Sequence, residues 1–402
     1  MIISINIIKI STMHIILQLI YITIAFSSIV DDWKPIIEDQ LMPYKKISQM
    51  SINKTFEHLG SHIIFQYINN TLTIYDPEGH CLCNRSHDKN IIFEFHLRRC
   101  KAMQTILSAV VKYGNLSDFE FVWSLDDIQF WHKTQNTMNV QKSEYIVDNL
   151  YPGFGAVRCW SKGSIAMPFY GSHIIWNVSN YEFPNKHNIP LHKRFGKAVF
   201  RGGIDRGCSF EKDTKINYNS DTVFPNNKRD CGRYKLYDIA KKYPSLVDYN
   251  GTNDKYISLD TQSEKYRYIL SIEGFAGWAD RLPHLLALRT MIVFNQNHPC
   301  DQWFEPLLKP YEHFIPVAND FSDLPAKVIW ANNNPKTVER ILNASTNFAN
   351  KYLTKEGIIA YMYTMLEQYI KLLNYKVVVR NGAYPITNLN NYTFMIDSCK
   401  NK

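Results

Sequence analysis

Between Lys265 and Val317 a strand, a glycine turn, a helix and a second strand follow one another, and that order leaves few folds open. Residues 266–272 are rich in β-formers and run into Glu273, Gly274 and Gly277. Arg281 then precedes a leucine-rich helix whose first turn holds Pro283, where proline is tolerated because the first N–H groups have no helical partner. Residues 291–294, Met-Ile-Val-Phe, give the second apolar strand. A helical crossover of this kind is the connection that a parallel strand pair requires. The turn after the first strand of such a βαβ unit is where these sheets bind phosphorylated ligands.

The chain has 402 residues, enough for two domains with a core each. Its hydrophobic content of 45% against 20% charged residues describes a globular protein and excludes a disordered one. The net charge of +8 is spread out, and no long Lys/Arg block supports a nucleic-acid partner.

Residues 1–27 combine a lone Lys9, an apolar run from Ile15 to Ile24 and a small-residue end, Ala25-Phe26-Ser27, the pattern of a secretory signal peptide. The alternative is an uncleaved signal anchor, in which case the membrane becomes a partner. Sequons at Asn53, Asn69, Asn84, Asn115, Asn177, Asn250, Asn343 and Asn391 agree with secretory entry. The eight cysteines make an even count suited to structural disulfides, Cys208 with Cys231 being one conceivable pairing. Cys81-Leu82-Cys83 has no His/Cys pair at zinc spacing beside it, so no metal site is expected there.

Residues 28–190 form the first expected domain. Its elements are an amphipathic helix over 33–48, a short strand or hairpin over 62–74 broken at Asn69-Asn70, a helix over 102–111 and a strand over 119–124 that ends at Asp126-Asp127. The second domain, 191–376, opens with the strand 197–200, which runs into Arg201-Gly202-Gly203. A polar insert (204–230), a helix (233–243), the strand SLVDY, the βαβ unit and an amphipathic helix over 356–374 follow; residues 377–402 are a tail. Strands and helices alternating in two halves predict an α/β protein with paired Rossmann-like domains.

Three places along the chain carry candidate chemistry. Asp126 and Asp127, at a strand end, either project into a cleft or make an ordinary Asx-type turn. Arg201 stands beside Gly202 and Gly203, which would let backbone approach a phosphate, or it is a surface arginine next to a turn. Arg281 lies at a helix start, where a guanidinium and free N–H groups would meet an anion together.

The βαβ stretch, the later LKPYEHFIPV, Phe200-Arg201-Gly202-Gly203 and Ser117-Asp118-Phe119-Glu120-Phe121-Val122 together resemble the CAP10-like glycosyltransferases, the family that contains the protein O-glucosyltransferases acting on EGF-like repeats. The resemblance spans roughly 31–376 and is strongest over 197–320. It implies a GT-B-like arrangement, two Rossmann-like domains facing a cleft with a C-terminal helix crossing back. It also implies an inverting, metal-independent transferase that uses UDP-glucose or UDP-xylose as donor substrate and needs no cofactor. The acceptor would be serine of an EGF-repeat protein; some members instead build polysaccharide, including capsule, on a glycan acceptor.

Carried over by motif, the resemblance makes Asp127 the catalytic base, with Asp126 as the alternative register. It assigns Arg201, Gly202 and Gly203 to the donor diphosphate, Arg233 as the further arginine displaced by the insert, and Arg281 to the same phosphates. Glu273, with Gly274, lies near the donor ribose or sugar, or caps the next turn. Ile128-Gln129 after the aspartate, Gly203 in place of a hydroxyl residue, and Trp278 in place of a small one depart from the family and leave a non-catalytic, sugar-binding relative as the alternative. The implied compartment is the secretory pathway. The chain ends Ser-Cys-Lys-Asn-Lys without the family's retention signal, which leaves endoplasmic reticulum, Golgi and secretion open.

Overall fold

The structure is a computed structural model that describes residues 28–58, 62–81, 91–125, 152–159, 164–168, 189–204, 232–251, 255, 257–272, 279, 281–288, 290–294, 300–318 and 320–386. Helix α1 covers 28–41 and α2 covers Gln49–His58. The expected helix over 33–48 thus stops at Leu41, because Pro43 disfavours helical backbone just before it and offers no N–H. Strands β1 (His62–Ile68) and β2 (Thr71–Tyr75) form a hairpin, the second of the two forms the sequence left open. Asn69 and Asn70 take φ of 47° and 62°, the left-handed pair that a two-residue turn needs to match strand twist. Helix α3 (Ile91–Tyr113) is longer than the pattern over 102–111 indicated. Strand β3 (Phe119–Ser124) is buried throughout and falls where expected.

Short strands β4 (Gly153–Gly155), β5 (Val157–Cys159) and β6 (Ser164–Ala166) follow. Strands β4 and β6 extend the first sheet parallel to β3, whereas β1 runs antiparallel to both its neighbours, β3 and β2. The chain is α/β as expected, but the sheets do not show two Rossmann-like halves: the first sheet is mixed. A two-residue hairpin loop can join only antiparallel neighbours, and the chain places one there.

The second sheet is parallel throughout. Its strands are β7 (Phe195–Val199), β8 (Val247–Asp248), β9 (Tyr266–Ser271), β10 (Met291–Phe294) and, after the ribbon strand β11 (Cys300–Gln302), β12 (Ile315–Pro316). The spatial order is β12-β10-β9-β7-β8. Helices α4 (Gly232–Lys242), α5 (Leu259–Lys265) and α6 (Leu282–Ala287) lie on the crossovers to β8, β9 and β10. The order reverses between β7 and β9, so the mouth beyond their C-terminal ends is the switch point at which open α/β sheets bind ligands.

Alternation along β7 gives the sheet two buried faces. Val199 packs with the core of the first sheet, while Ala198 and Phe200 pack with a second core built from α4, α7 (Leu324–Asn333) and α8 (Pro335–Tyr352). Helix α9 (Lys355–Ile370) ends four residues before the expected 374 and packs on the first sheet. There the Tyr361 hydroxyl donates to the Ala166 carbonyl at 2.6 Å and the Tyr369 hydroxyl to the Glu120 carbonyl at 3.2 Å. The C-terminal helix therefore crosses back onto the first half.

The following segment stays with that sheet. Strand β13 (Tyr384–Pro385) pairs with β2, and Arg380 forms a 2.9 Å ion pair with Glu120, whose side chain is only 2% exposed. A carboxylate buried in a sheet face requires partners. Gln66 Nε2 (2.9 Å), the Tyr375 hydroxyl (2.9 Å) and Arg380 supply them. Burial and then the Glu120 charge push the Tyr375 phenol above its usual range, so it stays a donor. Cys81 and Cys100 form a disulfide, whereas Cys208 and Cys231 lie outside the described residues. No helix among the described residues is long and apolar enough to cross a membrane; residues 1–27 lie outside them.

Candidate donor site at the end of the parallel sheet

Past the end of β7 the chain turns outward at the switch point as Phe200-Arg201-Gly202-Gly203. Phe200 is fully buried and its ring anchors the turn from below. Two guanidiniums lie against that ring, Arg281 Cζ at 4.8 Å and Arg233 Cζ at 5.0 Å from its centroid. Arg233 comes from the first turn of α4 and donates from Nη1 to the Gly203 carbonyl at 2.8 Å. Arg281 is the N-cap of α6 and donates from Nη1 to the Arg201 carbonyl at 3.3 Å. Helix α6 has six residues, so its dipole is small and the guanidinium is the main local charge.

Glycine at 202 is a matter of space. A Cβ there would stand 3.0 Å and 3.1 Å from two ring carbons of Phe200 and 3.3 Å from Arg233 Nη1. The Gly202 carbonyl accepts from the Tyr249 hydroxyl at 3.2 Å, and Tyr249 meets Phe200 edge-on at 5.2 Å. The turn is thus fixed by an aromatic pair below and two arginines at its sides.

Arg201 is held by the neighbouring strand. Its Nη2 lies 2.9 Å from Asp248 Oδ1, and its Nη1 donates to the carbonyls of Phe200 (2.8 Å) and Asp248 (2.9 Å). The register sets Asp248, the last residue of β8, beside Val199, which brings the carboxylate within reach. Asp248 Oδ2 accepts from the Tyr266 hydroxyl. Burial, then that hydrogen bond and the Asp248 charge, pushes the Tyr266 phenol up to about 12 and keeps it a donor at neutral pH. Three guanidiniums thus converge on one turn, and Asp248 pairs with that of Arg201.

The structure therefore brings together Arg201, Gly202, Gly203, Arg233 and Arg281, which are spread over some eighty positions of sequence. Asp126, Asp127, Glu273, Gly274 and Trp278 lie outside the described residues. Leu125, the last described residue before the aspartate pair, is buried, and its carbonyl accepts from the Arg99 guanidinium. Asp248, Tyr266 and Phe200 were missed as site residues. An acid closing a strand one crossover after Arg201 was the available signal, but only the strand order makes the two neighbours. Trp303 and His313 are buried, while Tyr311 is 39% exposed.

The profile of glycosyl transferase family 90 matches residues 81–400. The chain is similar to protein O-glucosyltransferase 1 of Homo sapiens, 28% identical over 307 residues, covering 71% of this chain and 70% of that protein. It is likewise similar to protein O-glucosyltransferase 1 of Bos taurus, 28% identical over 372 residues, covering 86% and 82%. An uncharacterised protein, 179R, of Invertebrate iridescent virus 6 is 30% identical over 204 residues, 44% of this chain; the match takes in only 17% of that viral protein's length. A profile match over most of the chain, on top of an arginine-lined turn at the switch point, establishes that the chain belongs to glycosyl transferase family 90.

Proposed function

We propose that the protein is an inverting, UDP-sugar-dependent glycosyltransferase that moves glucose or xylose onto serine of EGF-like repeats in the secretory pathway. The observation that carries this reading is the convergence of Arg201, Arg233 and Arg281 on the Phe200–Gly203 turn, at the ligand-binding edge of a parallel sheet. Guanidiniums are suited to diphosphate oxygens because their paired N–H groups match them. Similarity to the protein O-glucosyltransferases supports the choice of sugar and acceptor, and the Cys81–Cys100 disulfide supports an oxidising compartment.

In this reaction Asp127 takes the proton of the acceptor hydroxyl as that oxygen attacks the anomeric carbon. The bond from that carbon to the diphosphate breaks on the opposite side, and UDP leaves with the electron pair. Arg281, with Arg201 held by Asp248, meets the charge that develops on the leaving diphosphate, and Arg233 fixes the turn between them. Two guanidiniums supply the neutralisation that a divalent cation would otherwise give. The base would come from the end of β3, and the cleft would lie between the two sheets.

The test is UDP release by the purified protein from a panel of UDP-sugars, with a folded EGF-like repeat or an oligosaccharide as acceptor. Release with UDP-glucose or UDP-xylose and the EGF-like repeat, lost in Asp127→Asn, is the expected result. Release that needs the oligosaccharide points to polysaccharide synthesis. Turnover that survives Asp127→Asn but not Asp126→Asn moves the base by one residue, and no turnover with any donor refutes the transferase reading.

A further inference from the structure

Strands β5 and β11 form a two-stranded antiparallel ribbon outside both large sheets. Its register sets Cys159 opposite Cys300, Arg158 opposite Asp301 and Val157 opposite Gln302. Directly opposed residues of an antiparallel pair have Cα atoms about 4.5 or 5.5 Å apart, depending on whether they exchange hydrogen bonds. A disulfide needs a Cα–Cα separation of roughly 4.4–6.8 Å, so both kinds of pair lie within its range. The chain already carries one disulfide, Cys81–Cys100, with Cα atoms 5.7 Å apart.

We propose that Cys159 and Cys300 form a second disulfide, which staples β5, set between β4 and β6 of the first sheet, to β11, set between β10 and β12 of the second. It closes a loop containing β6 to β10 and fixes the ribbon beside the candidate donor site. Gln302, two residues beyond Cys300, donates from Nε2 to the Ala279 carbonyl at 3.0 Å, two residues before Arg281. At the other side, Arg158, next to Cys159, is paired with Asp39 of α1. The ribbon is thus tied to α1 at one strand and to the Arg281 turn at the other, and the disulfide joins the two strands covalently.

Formation needs an oxidant, here a dithiol oxidoreductase carrying a disulfide. The thiolate of one cysteine attacks that disulfide to give a mixed disulfide, and the thiolate of the other displaces it. The protein's two thiols become one disulfide, while the oxidant takes up two electrons and two protons and leaves as a dithiol.

Peptide mapping of the full chain made in a secreting cell, blocked with N-ethylmaleimide and digested without reduction, tests the bond. A peptide pair joined through Cys159 and Cys300 is expected; maleimide on both residues, or either one joined to a different cysteine, overturns it. In Cys159→Ser, Cys300 should become reactive to maleimide, and no gain in reactivity overturns the pairing. The double variant Cys159→Ser/Cys300→Ser should unfold on the order of 5 °C lower, and an unchanged midpoint overturns the stapling role. None of these readouts involves a sugar donor, so they stand or fall apart from the transferase reading.

Discussion

Asp248 holds Arg201 by a 2.9 Å ion pair that crosses from the end of β8 to the residue just past β7. With side chains 30% and 13% exposed, the two are partly shielded from water, so the pair fixes geometry as well as charge. Asp248 also accepts from Tyr266 on its second oxygen, which locks the carboxylate plane. Arg201 is thereby set before any ligand arrives.

Asp248→Asn removes this arrangement with almost no change in shape. The amide is neutral and, in the same orientation, presents an oxygen to only one of the two positions, so Arg201 loses its anionic partner or Tyr266 must turn its hydroxyl to accept from the NH2. With about 1–3 kcal/mol at stake, kcat/KM for the donor should fall about ten- to a hundredfold. Steady-state UDP release against donor concentration measures this, and an unchanged value would mean that Arg201 does not need its partner.

Gly202→Ala tests the turn itself. The added methyl meets a ring that Arg233 and Arg281 flank and Tyr249 supports, so Phe200 has little room to yield. The strain is expected to cost about 1–3 kcal/mol. A lower thermal midpoint together with weaker UDP binding is the expected pair of results.

Arg380→Met leaves the buried Glu120 carboxylate without its cationic partner. Breaking such a pair from one side costs about 3–5 kcal/mol. Denaturant unfolding should show a loss of that size, and Glu120→Gln added to Arg380→Met should recover part of it, because the amide carries no charge to strand.

The LKPYEHFIPV segment gives a pH dependence. His313 Nδ1 accepts the Lys309 N–H at 3.0 Å, and burial, only partly opposed by Glu312, lowers the imidazole pKa. A depressed histidine costs nothing while it is neutral in both states. Below the unfolded value of about 6.5 the unfolded chain binds the proton first, so stability falls as pH drops from 7 toward 5. His313→Asn keeps an acceptor without a titrating ring, and its midpoint should fall less over the same window.

Local pattern carried much of this molecule. Phe119–Ser124, Met291–Phe294 and the hairpin at Asn69-Asn70 follow from periodicity and turn chemistry within a few residues. Arg201, Arg233 and Arg281 stood out through motifs shared with the family, and only the fold brings the three to one turn. Asp248 was not, since its role depends on β8 lying beside β7. The Arg380–Glu120 pair joins positions 260 residues apart, and nothing in a stretch that looks like a tail announces it. The mixed first sheet was missed for a related reason, because alternating elements do not reveal which neighbours pair.

The most direct measurement is calorimetric titration of UDP into the wild-type protein and Arg281→Ala. Arg281 donates a 3.3 Å hydrogen bond to the turn and lies against the Phe200 face, and its replacement removes a charge from the proposed diphosphate site. One UDP bound per wild-type chain, with affinity weakened about ten- to a hundredfold in a folded Arg281→Ala, is the predicted result. Equal affinity in the two proteins, or no UDP binding to the wild type, would contradict it.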